Sequence, residues 1–428
     1  MAPRLAPRGG LSRRLRPASA WLLRALLAAL LAGCAGTAAG PPRSGSPALV
    51  RRPGIVLVDP EVRRAALEAA GPPALALCAA EDLRLRTWPA PGPLEPTEGN
   101  ATDTRLNPVA WLVMRAGAAT LAADDPELRA VLVKALDRWS RSGALLEPGR
   151  DDATTRFAVN RFLLPAIVAW ALVRDAPEAS PAARRRIDAW LGRLAEAARA
   201  RLAAQRPEEV SARNNHAYLA AGAIMAWGAL AADDAALALG LATFRRALAD
   251  MRPDGSLPLE TARGARALWY QRQAIASLVV LAELAAAQGY DLWGLEIEGR
   301  SLHLAVRFLL DALDDPGRVQ GYAAANRSPG PSEDWRRQDL SFLERRGHGR
   351  HYMAWAEAYL ARFPNRPEAE RLLALLRSRG DPRPLVDEFA GGNLSCLLGP
   401  VVPPPARSAA LSPGPGRPGP GRGRGTAG

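Results

Sequence analysis

Lysine is almost missing from this chain: Lys134 is the only one, and nearly all positive charge is arginine. A bias this complete reads as a property of the coding genome, not of a binding surface. Cysteine and histidine are also scarce, at three and four residues. Cys34, Cys78 and Cys396 stand far apart, and His216, His303, His348 and His351 lack ligand spacing, so no metal centre or cofactor is expected. No zinc-finger or RNP pattern occurs. After residue 34 no apolar run is long enough to span a bilayer, and few segments alternate as strands do. Acidic residues are outnumbered, giving a formal +13. That excess falls to three once the six arginines of 1–33 and the four of 401–428 are set aside. The basicity therefore belongs to the ends and does not argue for a nucleic-acid partner.

What is present is alanine, leucine and arginine over 428 residues, the profile of a mostly helical chain of one or two domains. Residues 1–33 read as an export signal: arginines up to Arg24, then the short apolar core Ala25–Leu31. Leu31-Ala32-Gly33-Cys34 has the form of a bacterial lipobox, so either Cys34 is lipidated or ordinary cleavage falls near Ala39. The expected location is periplasmic, with an outer-membrane lipid anchor as one option. In an oxidising periplasm Cys78 and Cys396 either pair or remain unrelated buried thiols.

Residues 34–54 read as a linker, 55–400 as the folded domain, and 401–428 as a disordered Pro/Gly/Arg tail. Apolar residues at three-to-four spacing, such as Ile187, Trp190, Leu191 and Leu194, predict helices. Their spans are roughly 60–70, 107–122, 126–141, 157–174, 181–204, 215–231, 234–250, 261–288, 298–314, 349–363 and 367–379. Short connections suggest stacked helical hairpins in a solenoid or a closed α/α toroid. The lack of a strict repeat disfavours a regular solenoid. The long non-helical stretch 82–105 reads as a lid over a site.

Two segments carry chemistry. Arg213-Asn214-Asn215-His216 opens an apolar helix. Arg263, Arg266 and Tyr270 follow the turn Asp254-Gly255-Ser256-Leu257-Pro258, at offsets of zero, three and seven that place them on one helical face. Removing the C5 proton of a uronate requires its carboxylate to be neutralised by donors, with a base at C5 and an acid at O4. Asn, Arg and His suit the first task. A phenol, with an ordinary pKa of about 10, suits the proton transfer if a cation stands beside it. The same residues also fit a bland reading, with Asn214 a helix cap, His216 a buried histidine and Arg/Tyr a solvated stripe.

Arg213-Asn-Asn-His-Ala-Tyr218 and Asp254-Gly-Ser-Leu-Pro-Leu-Glu-Thr-Ala-Arg-Gly-Ala-Arg-Ala-Leu-Trp-Tyr270 resemble, in order and separation, the two signature stretches of the alginate lyase family of polysaccharide lyases. Weaker similarity occurs at Gln288-Gly289-Tyr290-Asp291-Leu292, Gln338-Asp339-Leu340 and Tyr352–Tyr359, so the resemblance covers roughly residues 55–365. It implies an all-α fold, an α/α toroid or incomplete barrel of antiparallel hairpins around a deep cleft. It implies depolymerisation of mannuronate-rich alginate by β-elimination without a metal. Asn215, His216 and Arg263 would neutralise the carboxylate, and Tyr270 would move the proton, with His216 the competing base. Arg213, Asn214, Arg266, Trp269 and Arg105 would line the substrate path, although whether Arg266 touches substrate or supports its helix is open. Thr97–Arg105 resembles the family's lid.

The chain departs from the family where Trp269 precedes the tyrosine and Gln271-Arg272 follows it, in place of the frequent His and His-Asn. The lid lacks the aromatic residue expected near Thr97. Trp269 either stacks on a sugar or belongs to the core. These departures touch substrate preference more than reaction class. The alternatives are a lyase for another acidic exopolysaccharide, or an inactive polysaccharide-binding protein. A glycoside hydrolase would need two opposed carboxylates, and Asp254 and Glu260 make no convincing pair. The protein is expected to be a monomer.

Overall fold

A computed structural model describes residues 48–80, 83, 88–91, 106–149, 152–326 and 334–401. Residues 1–47, which include the expected export signal and Cys34, lie outside the described residues, as do residues 92–105 of the stretch expected to be a lid, Arg105 among them, and the tail from 402.

Helices dominate, and most begin where the sequence offers a cap. Asp59 caps α1 (Pro60–Ala70), and α2 spans Leu106–Ala122. Asp125 caps α3 (Pro126–Ser142), Asp152 caps α4 (Ala153–Val173) and Ser180 caps α5 (Pro181–Ala204). Asn214 caps α6 (Asn215–Ala231) and Asp233 caps α7 (Asp234–Asp250). Then come α8 (Ala267–Ala287), α9 (Leu302–Asp314) behind Ser301, α10 (Ala356–Arg362) and α11 (Pro367–Ser378). Each capping side chain accepts an N–H that the first helical turn would otherwise leave unpaired.

The hydrophobic pattern sorts these helices into two layers. α4, α6 and α8 are buried on nearly every side and pack side by side in the order α2, α4, α6, α8. α3, α5, α7 and α9 return outside them. α5 shows why: Ile187, Trp190, Leu191 and Leu194 are buried, while Arg185 and Arg186 are exposed. α4 is long and apolar enough to cross a membrane by length and composition, but 83% of its apolar window is buried inside the protein, as befits a core helix. One inner and one outer helix per hairpin make the α/α toroid that the sequence anticipates. The inner helices run in one direction, so the N-terminal ends of α4, α6 and α8 meet at the same end.

Strands are confined, among the described residues, to β1 (Val386–Asp387) and β2 (Gly392–Asn393), paired antiparallel with Val386 opposite Asn393. The turn between them, 388–390, packs against α4 and α8. Cys78 and Cys396 form a disulfide across 318 positions, which answers the question left open above.

The boundaries differ from expectation in several places. The helix expected over 261–288 breaks into a short turn Pro258–Thr261, a 3-10 turn Gly264–Arg266 and then α8. Gly264, which opens the 3-10 turn, takes a positive φ of 56° that breaks the helical course. α8 restarts where Gln338 accepts the Leu268 N–H and the Asp339 N–H donates to the Ala265 carbonyl. The helix expected from 349 begins only at Ala356. Leu49–Gly54, read as linker, is docked on the body: Gln288 accepts the N–H groups of Arg51 and Arg52, and the Gly54 N–H donates to Ala229.

Candidate functional site

The second signature stretch begins with a turn that only glycine can make. Asp254 accepts from the Ser256 N–H and hydroxyl at 2.9 and 2.7 Å and from the Tyr322 hydroxyl at 2.8 Å. Gly255 has φ +93°, and a Cβ there would stand 2.3 Å from the Leu304 carbonyl oxygen. The turn sends Pro258–Thr261 toward the start of α6. Glu260 then accepts from the Asn215 N–H at 2.6 Å and from the Asn215 side-chain Nδ2 at 2.7 Å.

The first stretch is organised around Asn214, whose Oδ1 accepts from the His216 N–H at 3.0 Å. Tyr218 reaches back to the Arg213 carbonyl at 2.8 Å. Asn215 is buried, and its Oδ1 accepts from Gln273 Nε2 at 2.7 Å. The His216 ring is half-buried and stacks on Phe157 of α4, 4.1 Å between centroids. Burial, with the charges of Arg263 and Arg156, lowers its pKa to about 4, so the imidazole is neutral at pH 7. The Arg263 guanidinium lies 4.1 Å above the centre of the Tyr270 ring, and both residues are half-buried. Arg263 is not on the helix of Tyr270; it meets that ring from the loop before α8.

Asn215, His216, Arg263 and Tyr270 thus fall within one linked set of contacts. Asn215 binds Glu260, and Glu260 and His216 both feel the Arg263 charge. The convergent N-terminal ends of α4, α6 and α8 add positive potential there. A half-exposed cation, a neutral imidazole, a fixed amide and a phenol can hold a carboxylate and exchange a proton beside it.

The other expected residues are placed differently. Arg213 is exposed and paired with Asp250, Nη2 to Oδ1 at 2.8 Å. Asn214 is buried and serves as the cap of α6. Arg266 stands 3.7 Å from Asp339, which ties it to the segment that restarts α8. Trp269 is half-buried, with its ring against the edges of Phe342 and Tyr352. The Arg346 guanidinium lies 5.2 Å from its centre.

Sequence reasoning passed over the layer beneath. Glu388 is fully buried and accepts from Arg161 and from Arg350, the latter at 2.6 Å. Burial alone would raise its pKa; the two guanidinium groups overcome that and hold it low. Asp387 beside it is pushed up by burial and by the Glu388 charge. Arg272, buried completely, lies 4.6 Å from the centre of the Tyr352 ring and 5.6 Å from that of Trp269. Gln271 accepts the Leu257 N–H and donates to the Gly255 carbonyl, locking the turn to α8. The two departures after Tyr270 are therefore ties inside the fold, not open substrate contacts.

Residues 155–319 match the family model for alginate lyases. A protein of Stenotrophomonas maltophilia (strain K279a) named polysaccharide lyase is 34% identical over 213 residues, 49% of this chain and 62% of that protein. The match thus spans under two thirds of that relative's length. Among solved structures, alginate lyase A1-III from Sphingomonas species A1 superposes with a TM-score of 0.64 at 25% identity, covering 83% of this chain and 99% of that one. A tyrosine-to-phenylalanine variant of alginate lyase A1-III complexed with a tetrasaccharide gives 0.66 at 25%, with the same coverage. An alginate lyase from Bacteroides ovatus, at 17% identity and a TM-score of 0.57 over 82% of this chain and all of that one, shares the fold. With its toroid and both signature stretches, this chain is similar to the alginate lyases in fold and over residues 155–319.

Proposed function

We propose that the protein is a polysaccharide lyase that cleaves a polyuronate, mannuronate-rich alginate first, by β-elimination. The observation that carries this reading is the convergence of Asn215, His216, Arg263 and Tyr270 at the inner-helix ends. Arg263 supplies the positive charge that the uronate carboxylate needs, since His216 is neutral at pH 7 and offers hydrogen bonds only. The Asn215 amide adds a directed donor. Tyr270, reacting as the phenolate, takes the C5 proton and becomes the phenol, the C5 electron pair forms the C4–C5 double bond, and the C4–O4 bond breaks. For a syn elimination the same phenol returns a proton to O4, and His216 is the competing base. Concentrating the donors where negative charge develops is the main source of acceleration in such a site.

The disulfide supports export to an oxidising compartment, in keeping with a periplasmic enzyme, lipid-anchored through Cys34 or cleaved near Ala39. A second reading, the same chemistry on another acidic exopolysaccharide, is favoured by one observation: the half-buried Trp269 stands beside Tyr270 where the family often has a histidine. Incubation with mannuronate-rich, guluronate-rich and alternating alginate and a panel of other polyuronates, followed by ultraviolet absorbance of the unsaturated product, tests both. Wild type should act fastest on the mannuronate-rich polymer, and Tyr270→Phe should lose at least about 10³-fold in kcat with an unchanged melting profile. A fully active Tyr270→Phe would remove that residue from the chemistry. A better rate on a different polyuronate would favour the second reading.

A further inference from the structure

An asparagine amide has two ends of nearly equal size and opposite polarity, so packing alone cannot decide which end faces where; hydrogen-bond partners decide it. At Asn215 both partners are buried and both are specific. Glu260 and Gln273 are 0% and 4% exposed, and Asn215 is 1% exposed. Glu260 Oε2 takes the Nδ2 proton at 2.7 Å, while its Oε1 takes the Asn215 backbone N–H at 2.6 Å. Gln273 Nε2 donates to Asn215 Oδ1 at 2.7 Å from the other side. Once ionised, above its raised pKa of about 7, the Glu260 carboxylate only accepts, so it demands the NH2 end and fixes the polarity of the whole chain of three.

We propose that Glu260 and Gln273 clamp the Asn215 amide in one of its two orientations, so that its remaining N–H, not its carbonyl oxygen, is held for the substrate carboxylate. Both are then positioning residues. This role rests on the lyase reading of Asn215. A reversed amide would set oxygen lone pairs against an anion and oppose the charge that builds up on it. The groups facing Glu260 are Asn215 and Tyr218 on α6 and Arg263 on the following loop. The plain alternative is that Glu260 merely caps the first N–H of α6, with Gln273 as packing.

The exchange Glu260→Gln with Gln273→Glu separates the two. It keeps net charge, volume and a full set of hydrogen bonds. The amide introduced at position 260 can accept the backbone N–H and donate to Asn215, whose NH2 then faces the carboxylate introduced at position 273. The Asn215 amide is thereby locked the wrong way round. We expect kcat to fall about 10²-fold, the scale for losing one oriented donor, with KM changed far less and the urea midpoint close to wild type. Near-wild-type kcat in a folded exchange variant would overturn the proposal. The side-chain NH2 signals of Asn215 in a 15N–1H spectrum, assigned by their loss in Asn215→Ala, give a readout that needs no turnover. They should shift in the exchange variant, and unmoved signals would refute the clamp. If wild type eliminates no polyuronate, the lyase reading fails while these signals still judge the clamp. Should the exchange variant misfold, Glu260→Gln alone, which permits the same reversal, carries the same kinetic and spectral test.

Discussion

Asn215 and His216 are adjacent, yet the titrating groups around them respond to pH in opposite senses. Burial raises Glu260 from an ordinary 4.5 to about 7, with the Asn215 hydrogen bonds and Arg263 pulling the other way. Its raised value means that the folded state holds the proton more tightly than the unfolded chain. The stability it contributes is complete below pH about 4.5 and is lost as the pH rises to about 7. His216 is depressed from 6.5 to about 4, so its contribution is present above about 6.5 and is lost as the pH falls toward 4. Urea midpoints across this range should show the advantage of wild type over Glu260→Gln shrinking with rising pH. The advantage over His216→Asn should grow. Parallel curves would mean that neither group is perturbed. The residues proposed for the chemistry were legible because they sit in two unbroken stretches. Gln273 was not, since its partner lies 58 positions away and nothing along the chain marks it. Glu388, 227 positions from Arg161, was hidden for the same reason.

At the level of elements, helix positions were readable because caps and apolar spacing speak locally. What the spacing misjudged was the entrance to α8. Seven positions from Arg263 to Tyr270 suit one helical face, but Gly264 turns the chain, and Gln338 with Asp339 sets the new start from a distant segment. The two side chains still meet, by a loop-to-helix contact that period-counting cannot represent. The Asp254–Ser256 turn governs where this entrance lies. Gly255→Ala should cost about 1–3 kcal/mol for its φ alone, and more from the approach to the Leu304 carbonyl. Because Glu260 and Arg263 hang from this turn, kcat should fall as well, beyond what partial unfolding explains. A stable variant with normal turnover would show that the turn does not set the site. Differential scanning calorimetry alongside initial rates checks both.

For the whole molecule, the toroid was foreseeable from many apolar helices with short connections and no strict repeat. What closes it was not. The short hairpin 386–393 is supplied by the last part of the chain, and only the fold brings it under α4 and α8, where Glu388 meets Arg350 and Arg161 of α4. The disulfide holds that part in place. Cys396→Ser should lower stability by about 2–5 kcal/mol, seen as a lower urea midpoint, and reductant should do the same to wild type but not to the variant. Equal midpoints would mean that noncovalent contacts alone fasten the C-terminal segment.

The same bond changes what kind of object the polypeptide is. Between Cys78 and Cys396 the backbone is a ring, not a thread, and a ring must be cut twice before anything leaves it. A protease that nicks the exposed turn at 206–208 would leave two halves of the toroid still joined as one molecule, separable on a gel only after reduction.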